Sequence, residues 1–141
     1  MLRLVIDTDV MVAAFESASG ASRQLVIDVL DGKAELLMSV GLMLEYEAVL
    51  TRSAHLARSG LSIADVLEAL DDFADRCIPV SFEYRWRPAA RDADDDLVIE
   101  TAINGSADVI ATFNISDMIM GAEEFGIAVE RPSAVLRRIG R

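Results

Sequence analysis

Leu2-Arg3-Leu4-Val5-Ile6-Asp7-Thr8-Asp9-Val10 opens the chain with an apolar run that ends abruptly in two carboxylates. Leu2 to Ile6 has no polar alternation, as expected for a strand buried on both faces of a sheet. A helical stretch follows Asp7. The same grammar recurs down the chain. Ala34 to Met38 reads as a strand with polar Ser39 at its end, Cys77 to Phe82 as a third strand, and Ala107 to Thr112 as a fourth. Ile127 to Val129 reads as a short fifth strand. Helical patterns lie between them at Ser22–Leu30, Leu42–Leu50, the Ser62–Asp65 capping box and its following stripe, and Asp95–Asn104. Pro132 opens a last helix at Ser133–Ile139. Strands alternating with helices predict an α/β fold with a parallel sheet of four to five strands. Ligands of such sheets sit at the carboxyl ends of the strands, where strand order switches.

Composition narrows the function. The chain has 141 residues, suited to one domain over 1–141 with a single core, and its apolar fraction of 52% argues against disorder. The longest apolar run, Leu36 to Leu44, is too short to span a bilayer, and the N-terminus does not read as a signal peptide, so a cytoplasmic protein without membrane partners is expected. Cys77 is the only cysteine, which excludes an internal disulfide and a cysteine zinc cluster. The net charge is −11 and Lys33 is the only lysine. A phosphate substrate therefore needs a bound cation or a local basic patch, and chemistry that relies on a catalytic lysine is disfavoured.

The second acidic stretch is Arg91-Asp92-Ala93-Asp94-Asp95-Asp96-Leu97-Val98-Ile99. Asp95 shares a helical face with Val98, Ile99 and Ala102, and Asp96 lies at the edge of that face. An acid there either caps free N–H groups or faces a cavity holding a cation. A calcium loop needs Gly and Glu where this chain has Leu97 and Ile103. Glu45 and Glu47 both flank the stripe Leu42, Met43, Tyr46, Val49 and Leu50, and periodicity does not separate them. In Thr112-Phe113-Asn114-Ile115-Ser116-Asp117, Asn114 and Asp117 are turn or N-cap candidates that follow a buried strand. His55 has no neighbouring ligand type and reads as a surface residue.

Taken in order, these segments resemble the PIN domain, in particular the VapC-like toxin components of toxin–antitoxin pairs. Val5-Ile6-Asp7-Thr8-Asp9-Val10 resembles that family's apolar strand followed by Asp-Thr-Asn-Val. Ser39 through Glu45-Tyr46-Glu47-Ala48-Val49-Leu50 resembles its Ser…Glu-Tyr-x-x-Val-Leu helix. Asp92 to Asp96 and Ala107 to Asp117 resemble its two later acidic segments. The resemblance implies an α/β/α sandwich with a four-acid pocket of Asp7, Glu45, Asp95 and Asp117, supported by Asn114, Asp96, Asp9, Thr112 and Ser39. It further implies Mg²⁺ or Mn²⁺, hydrolysis of RNA as a metal-dependent endoribonuclease, a cognate antitoxin and a homodimer. Asp9 departs from the family's usual Asn. Either it strengthens metal binding or it disturbs the bonds that orient Asp7.

An RNA substrate needs a landing surface, and Tyr84-Arg85-Trp86-Arg87 with Arg91 combines aromatic stacking and phosphate contact. Two other readings compete. Asp7-Thr8-Asp9-Val10 also fits a haloacid-dehalogenase-like phosphatase, with Asp7 as nucleophile and Asp9 as general acid, but that leaves Glu45 and the Thr112–Asp117 segment without a role. A PIN-like binding module without turnover would keep the fold alone.

Overall fold

The computed structural model describes the backbone of residues 1–82 and 93–140, and the side chains of 1–82 and 96–140. Its centre is a five-stranded sheet of β1 (Arg3–Ile6), β2 (Glu35–Ser39), β3 (Ile78–Val80), β4 (Val109–Ala111) and β5 (Ala128–Glu130). The strands run in the order β3-β2-β1-β4-β5, and every pairing is parallel. Leu4, Val5 and Ile6 are fully buried, as the apolar run requires. β3 is shorter than the expected Cys77–Phe82 because the Cys77 N–H donates to Phe73 O, completing the helix before it. Pro79 is tolerated because β3 is an edge strand.

Eight helices are described: α1 (Thr8–Glu16), α2 (Ala21–Leu30), α3 (Val40–Leu50), α4 (Ser53–Ser59), α5 (Ile63–Arg76), α6 (Ala93–Asn104), α7 (Ile115–Glu123) and α8 (Pro132–Ile139). The capping box at α5 is formed as read: the Asp65 N–H donates to Ser62 Oγ and the Ser62 N–H to Asp65 Oδ2. Among the described residues, no helix is long and apolar enough to cross a membrane. α6 packs on β1, β2 and β4 and against α3 and α7. This explains one difference from expectation. Asp96 is buried, 5% exposed, rather than at the edge of an apolar face, because α6 is enclosed on several sides. Glu100, one turn further along, is fully buried as well. α6 closes on Gly105, where a Cβ would come within 2.8 Å of Leu37 Cδ1 and 2.9 Å of Val80 Cγ2. Glycine there lets the helix end approach β2 and β3.

Two helices were not expected from the sequence. α7 continues from the Thr112–Asp117 segment. α4 has no fully buried residue; Leu56 packs partly buried against the core, and a polar cluster ties the helix to α1. Glu16 Oε1 at the end of α1 lies 2.6 Å from His55 Nδ1 and accepts from Arg58 Nε at 3.1 Å. His55 is therefore a partner of Glu16 rather than an isolated surface residue. The hydrogen bond with His55, more than the nearby Arg58 charge, holds the Glu16 carboxyl below its ordinary range.

In the strand order, β1 connects outward to β2 and β3, whereas β4 and β5 lie on its other side. The switch point is the boundary between β1 and β4. Asp7 leaves the first of these strands and Thr112 the second.

Candidate active site at the switch point

Asp7 follows β1 and is the N-cap of α1. Its backbone N–H continues the sheet by donating to Ala111 O at 2.9 Å, so its position is set by β4 as well as by β1. Its side chain is 7% exposed. Oδ1 accepts from the Thr8 N–H at 2.7 Å, and Oδ2 accepts from the Thr112 hydroxyl at 2.7 Å. Thr112 is fully buried, and its Oγ1 in turn accepts from the Asn114 N–H at 2.9 Å. One hydroxyl thus joins the exits of two strands and fixes the Asp7 carboxylate.

Asp9 is drawn into the same arrangement. Its Oδ2 accepts from the Phe113 N–H at 3.1 Å. Burial pushes its carboxyl above the ordinary value of 3.8, against hydrogen bonding with the Phe113 and Val10 backbone and with the side chains of Asp7 and Thr112. Asp9 therefore does not disturb the bonds that hold Asp7. It adds a second tie between the β1–α1 and β4–α7 junctions and a second acid beside the first. Asp9 Oδ1 and Thr8 Oγ1 are buried with no hydrogen-bond partner among the described residues. Oxygens withdrawn from water in this way are costly to leave unmatched, and hard oxygen donors suit a hydrated divalent cation.

The sign of the Asp9 shift gives a testable pH dependence. Well below 3.8, the side chain is neutral in both folded and unfolded chains. As the pH rises, the unfolded chain releases this proton first, so the folded state loses stability until it too ionises. Asn at this position keeps an acceptor for Phe113 and offers Asp7 a donor. In metal-free buffer, Asp9→Asn is expected to match the wild type near about pH 3. At neutral pH it should be the more stable of the two. Thermal melts at the two pH values check this, and equal stability at neutral pH would contradict the paired-acid geometry.

Glu45 and Glu47, equivalent in the sequence, are separated by the fold. Glu47 is exposed and Glu45 is half-buried beside fully buried Tyr46. The Tyr46 hydroxyl donates to Ile6 O, the carbonyl immediately before Asp7. Burial above all, and then the charges of Asp7 and Glu45, hold the Tyr46 phenol well above its ordinary value. Glu45 and Asp7 thus act on one buried phenol. Tyr46 is a supporting residue that the sequence reading placed only in an apolar stripe. Its signal was a phenolic hydroxyl on that stripe, which must find a partner when buried. Tyr46→Phe is expected to cost about 1–2 kcal/mol in urea unfolding, by stranding the Ile6 carbonyl.

Ser39 supports the site indirectly. Its Oγ accepts from the Leu42 N–H at 3.2 Å, capping α3, and lies 2.8 Å from Thr101 Oγ1 on α6. It fastens the start of the Glu45 helix to the helix that carries Asp95 and Asp96. Asn114 occupies the N-cap position of α7, but its side chain makes no capping bond. Asp117 is half-buried in the first turn of α7.

Direct bonds therefore join Asp7 to Thr112 and, through backbone N–H groups, Asn114 to Thr112 and Phe113 to Asp9. Among the described residues, no three His, Cys, Asp or Glu side chains form a group able to hold a metal ion. Asp95 is in the first turn of α6, but its side chain lies outside the described residues, as do Arg85, Trp86, Arg87 and Arg91.

An all-parallel sheet with paired acids at its switch point defines an α/β protein of the kind that binds its ligand at the carboxyl edge. The chain belongs to the PIN-domain family, whose model matches residues 3–116. Two solved structures are similar in fold. One is VapBC2 from Rickettsia felis bound to a DNA fragment from their promoter, with a TM-score of 0.62 and 15% identity, covering 92% of this chain and 98% of that one. The other is FitAcB from Neisseria gonorrhoeae, with a TM-score of 0.52 and 18% identity, also covering 92% of this chain and 98% of that one. No curated protein matches the sequence significantly.

Proposed function

We propose that this protein is a divalent-metal-dependent endoribonuclease acting as the toxin of a toxin–antitoxin pair. The observation that carries the reading is the buried Asp7 carboxylate, held by Thr112 at the switch point of a PIN-family sheet with Asp9 against it. Asp7, Asp95 and Asp117 would hold Mg²⁺ or Mn²⁺, with Glu45 holding a water or a second ion. When bound, the ion supplies charge neutralisation at a phosphodiester and an activated water. Asp7 is oriented for this by two donors, so its carboxylate pays little reorganisation on taking up a ligand. Glu45, half-buried, would hold a water proton at the pocket edge. Asp9 has its Oδ2 engaged by Phe113, which suits a positioning role better than that of the free general acid in a phosphatase.

The partners follow the same reading. The two similar folds are named as VapBC2 and FitAcB assemblies, which supports a protein partner of the antitoxin kind. A 230 Å³ cleft lined by Ala14 and Phe15 of α1, Val26, Ile27 and Leu30 of α2, and Phe73 of α5 offers apolar surface for one. Val40 and Leu44, 77% and 58% exposed one turn apart on α3, suit a homodimer contact. The test is RNA cleavage by the purified protein with and without Mg²⁺ or Mn²⁺, repeated with Asp7→Asn. Metal-dependent cleavage lost in the variant supports the proposal, and no cleavage with either metal would leave a PIN-like binding module.

A further inference from the structure

We infer that Phe113 and Arg131 form a platform for single-stranded RNA at the rim of the acid pocket, Phe113 stacking a base and Arg131 meeting a phosphate. The inference rests on the proposed RNA substrate and extends it to residues of the rim. Phe113 lies between Thr112, whose hydroxyl holds Asp7, and Asn114, whose N–H bonds that same hydroxyl. Phe113 is 41% exposed. An aromatic ring left this open loses the burial that normally stabilises it in a core. Its backbone is nevertheless fixed, since its N–H donates to Asp9 Oδ2. The ring is thus presented on a rigid mount one residue from the site's central hydrogen bond.

Arg131 reaches this ring from the neighbouring strand exit. The Thr112 N–H donates to Glu130 O at 2.9 Å, which sets the end of β5 beside the end of β4. The next residue, Arg131, places its guanidinium carbon 6.0 Å from the Phe113 ring centre. Both carboxylate oxygens of the preceding Glu130 accept from Arg138, at 2.7 and 3.0 Å. Arg131 itself is exposed and, like Arg23, Arg52, Arg76 and Arg137, has no ion pair among the described residues; it alone of these lies against the Phe113 ring. In a chain of net charge −11, an unneutralised guanidinium against an open aromatic face marks a place for a polyanion with π-faces. Base stacking on aromatic side chains beside arginine is how single strands are held without reading sequence.

The test measures binding separately from cleavage. A fluorescein-labelled single-stranded RNA of about ten nucleotides, within the site size of single-strand grooves, is titrated with protein in EDTA and followed by anisotropy. Phe113→Ala is expected to weaken binding about 5- to 100-fold and Phe113→Trp to restore it. Arg131→Gln should weaken binding and reduce the salt slope by about 0.7. RNA should quench the tryptophan fluorescence that Phe113→Trp adds to that of the wild-type protein. In wild-type turnover, Phe113→Ala should raise KM more than it lowers kcat. Thermal melts confirm that each variant folds. Wild-type protein that does not bind the RNA, a Phe113→Ala affinity within about twofold of wild type, or an unquenched tryptophan would each overturn the platform. Cleavage that depends on Asp7 but not on Phe113 would remove the platform and leave the nuclease. RNA binding that depends on Phe113 without metal-dependent cleavage would do the reverse.

Discussion

Asp7→Asn is expected to lower RNA cleavage by about 100- to 1,000-fold or more while the protein stays folded. The two effects separate because the carboxylate has two kinds of neighbour. Two of its bonds come from neutral groups, the Thr8 N–H and the Thr112 hydroxyl. An Asn carbonyl oxygen still accepts from one of them, so the start of α1 keeps a cap, and the expected cost is about 1 kcal/mol. The proposed chemistry needs the negative charge, which the amide lacks. Asp7→Ala removes both and should also lower stability by about 0.5–2 kcal/mol through the lost N-cap. Asp95→Asn should lose cleavage in the same way. Circular dichroism and melting temperature beside initial rates decide the matter. Normal cleavage by Asp7→Asn, or its loss only through unfolding, would remove Asp7 from the proposed centre.

Addition of Mn²⁺ or Mg²⁺ is expected to stabilise the protein by about 2.7 kcal/mol when the ion is present at about a hundred times its dissociation constant. For a domain of this size that corresponds to a rise in Tm of roughly 5–10 °C. The gain follows from the metal-free state. There, two carboxyls at positions 7 and 9 share one region, and burial disfavours ionising the second. A divalent ion bound there would offset that penalty in the folded chain alone. Asp7→Asn should remove most of the shift, whereas Glu47→Gln, at an exposed position outside the pocket, should retain it. An unchanged Tm across a millimolar titration, or a shift equally large in Asp7→Asn, would argue against a metal bound at this pocket.

Much of the sheet was legible because its strands are short apolar runs closed by polar residues. Leu4, Val5 and Ile6 announce burial on both faces, and Asp7 announces the exit. Helices with an amphipathic stripe or a cap, such as α5 with its Ser62–Asp65 box, were equally clear. α4 was not, because it has no fully buried residue and is tied to Glu16, a residue 39 positions away from His55. α6 misled in detail for the opposite reason. Surrounded by β1, β2, β4, α3 and α7, it buries Asp96 and Glu100 as well as its apolar side. Periodicity identifies one inward face only when the opposite face meets water.

By itself, the sequence determined the parallel α/β class, the strand exits and the family to which the chain belongs, because each is written in contiguous patterns of a few residues. Tertiary structure decided which polar groups meet. The Asp7–Thr112 bond spans 105 residues and the Asp9–Phe113 bond 104, and only the placement of β4 beside β1 closes them. The same long-range packing separated Glu45 from Glu47, gave the Tyr46 hydroxyl its carbonyl, and turned Asp9 from a departure in a motif into a tie between two strand exits. Periodicity records which way a side chain faces along its own element. The partner it finds there depends on the order in which the strands assemble.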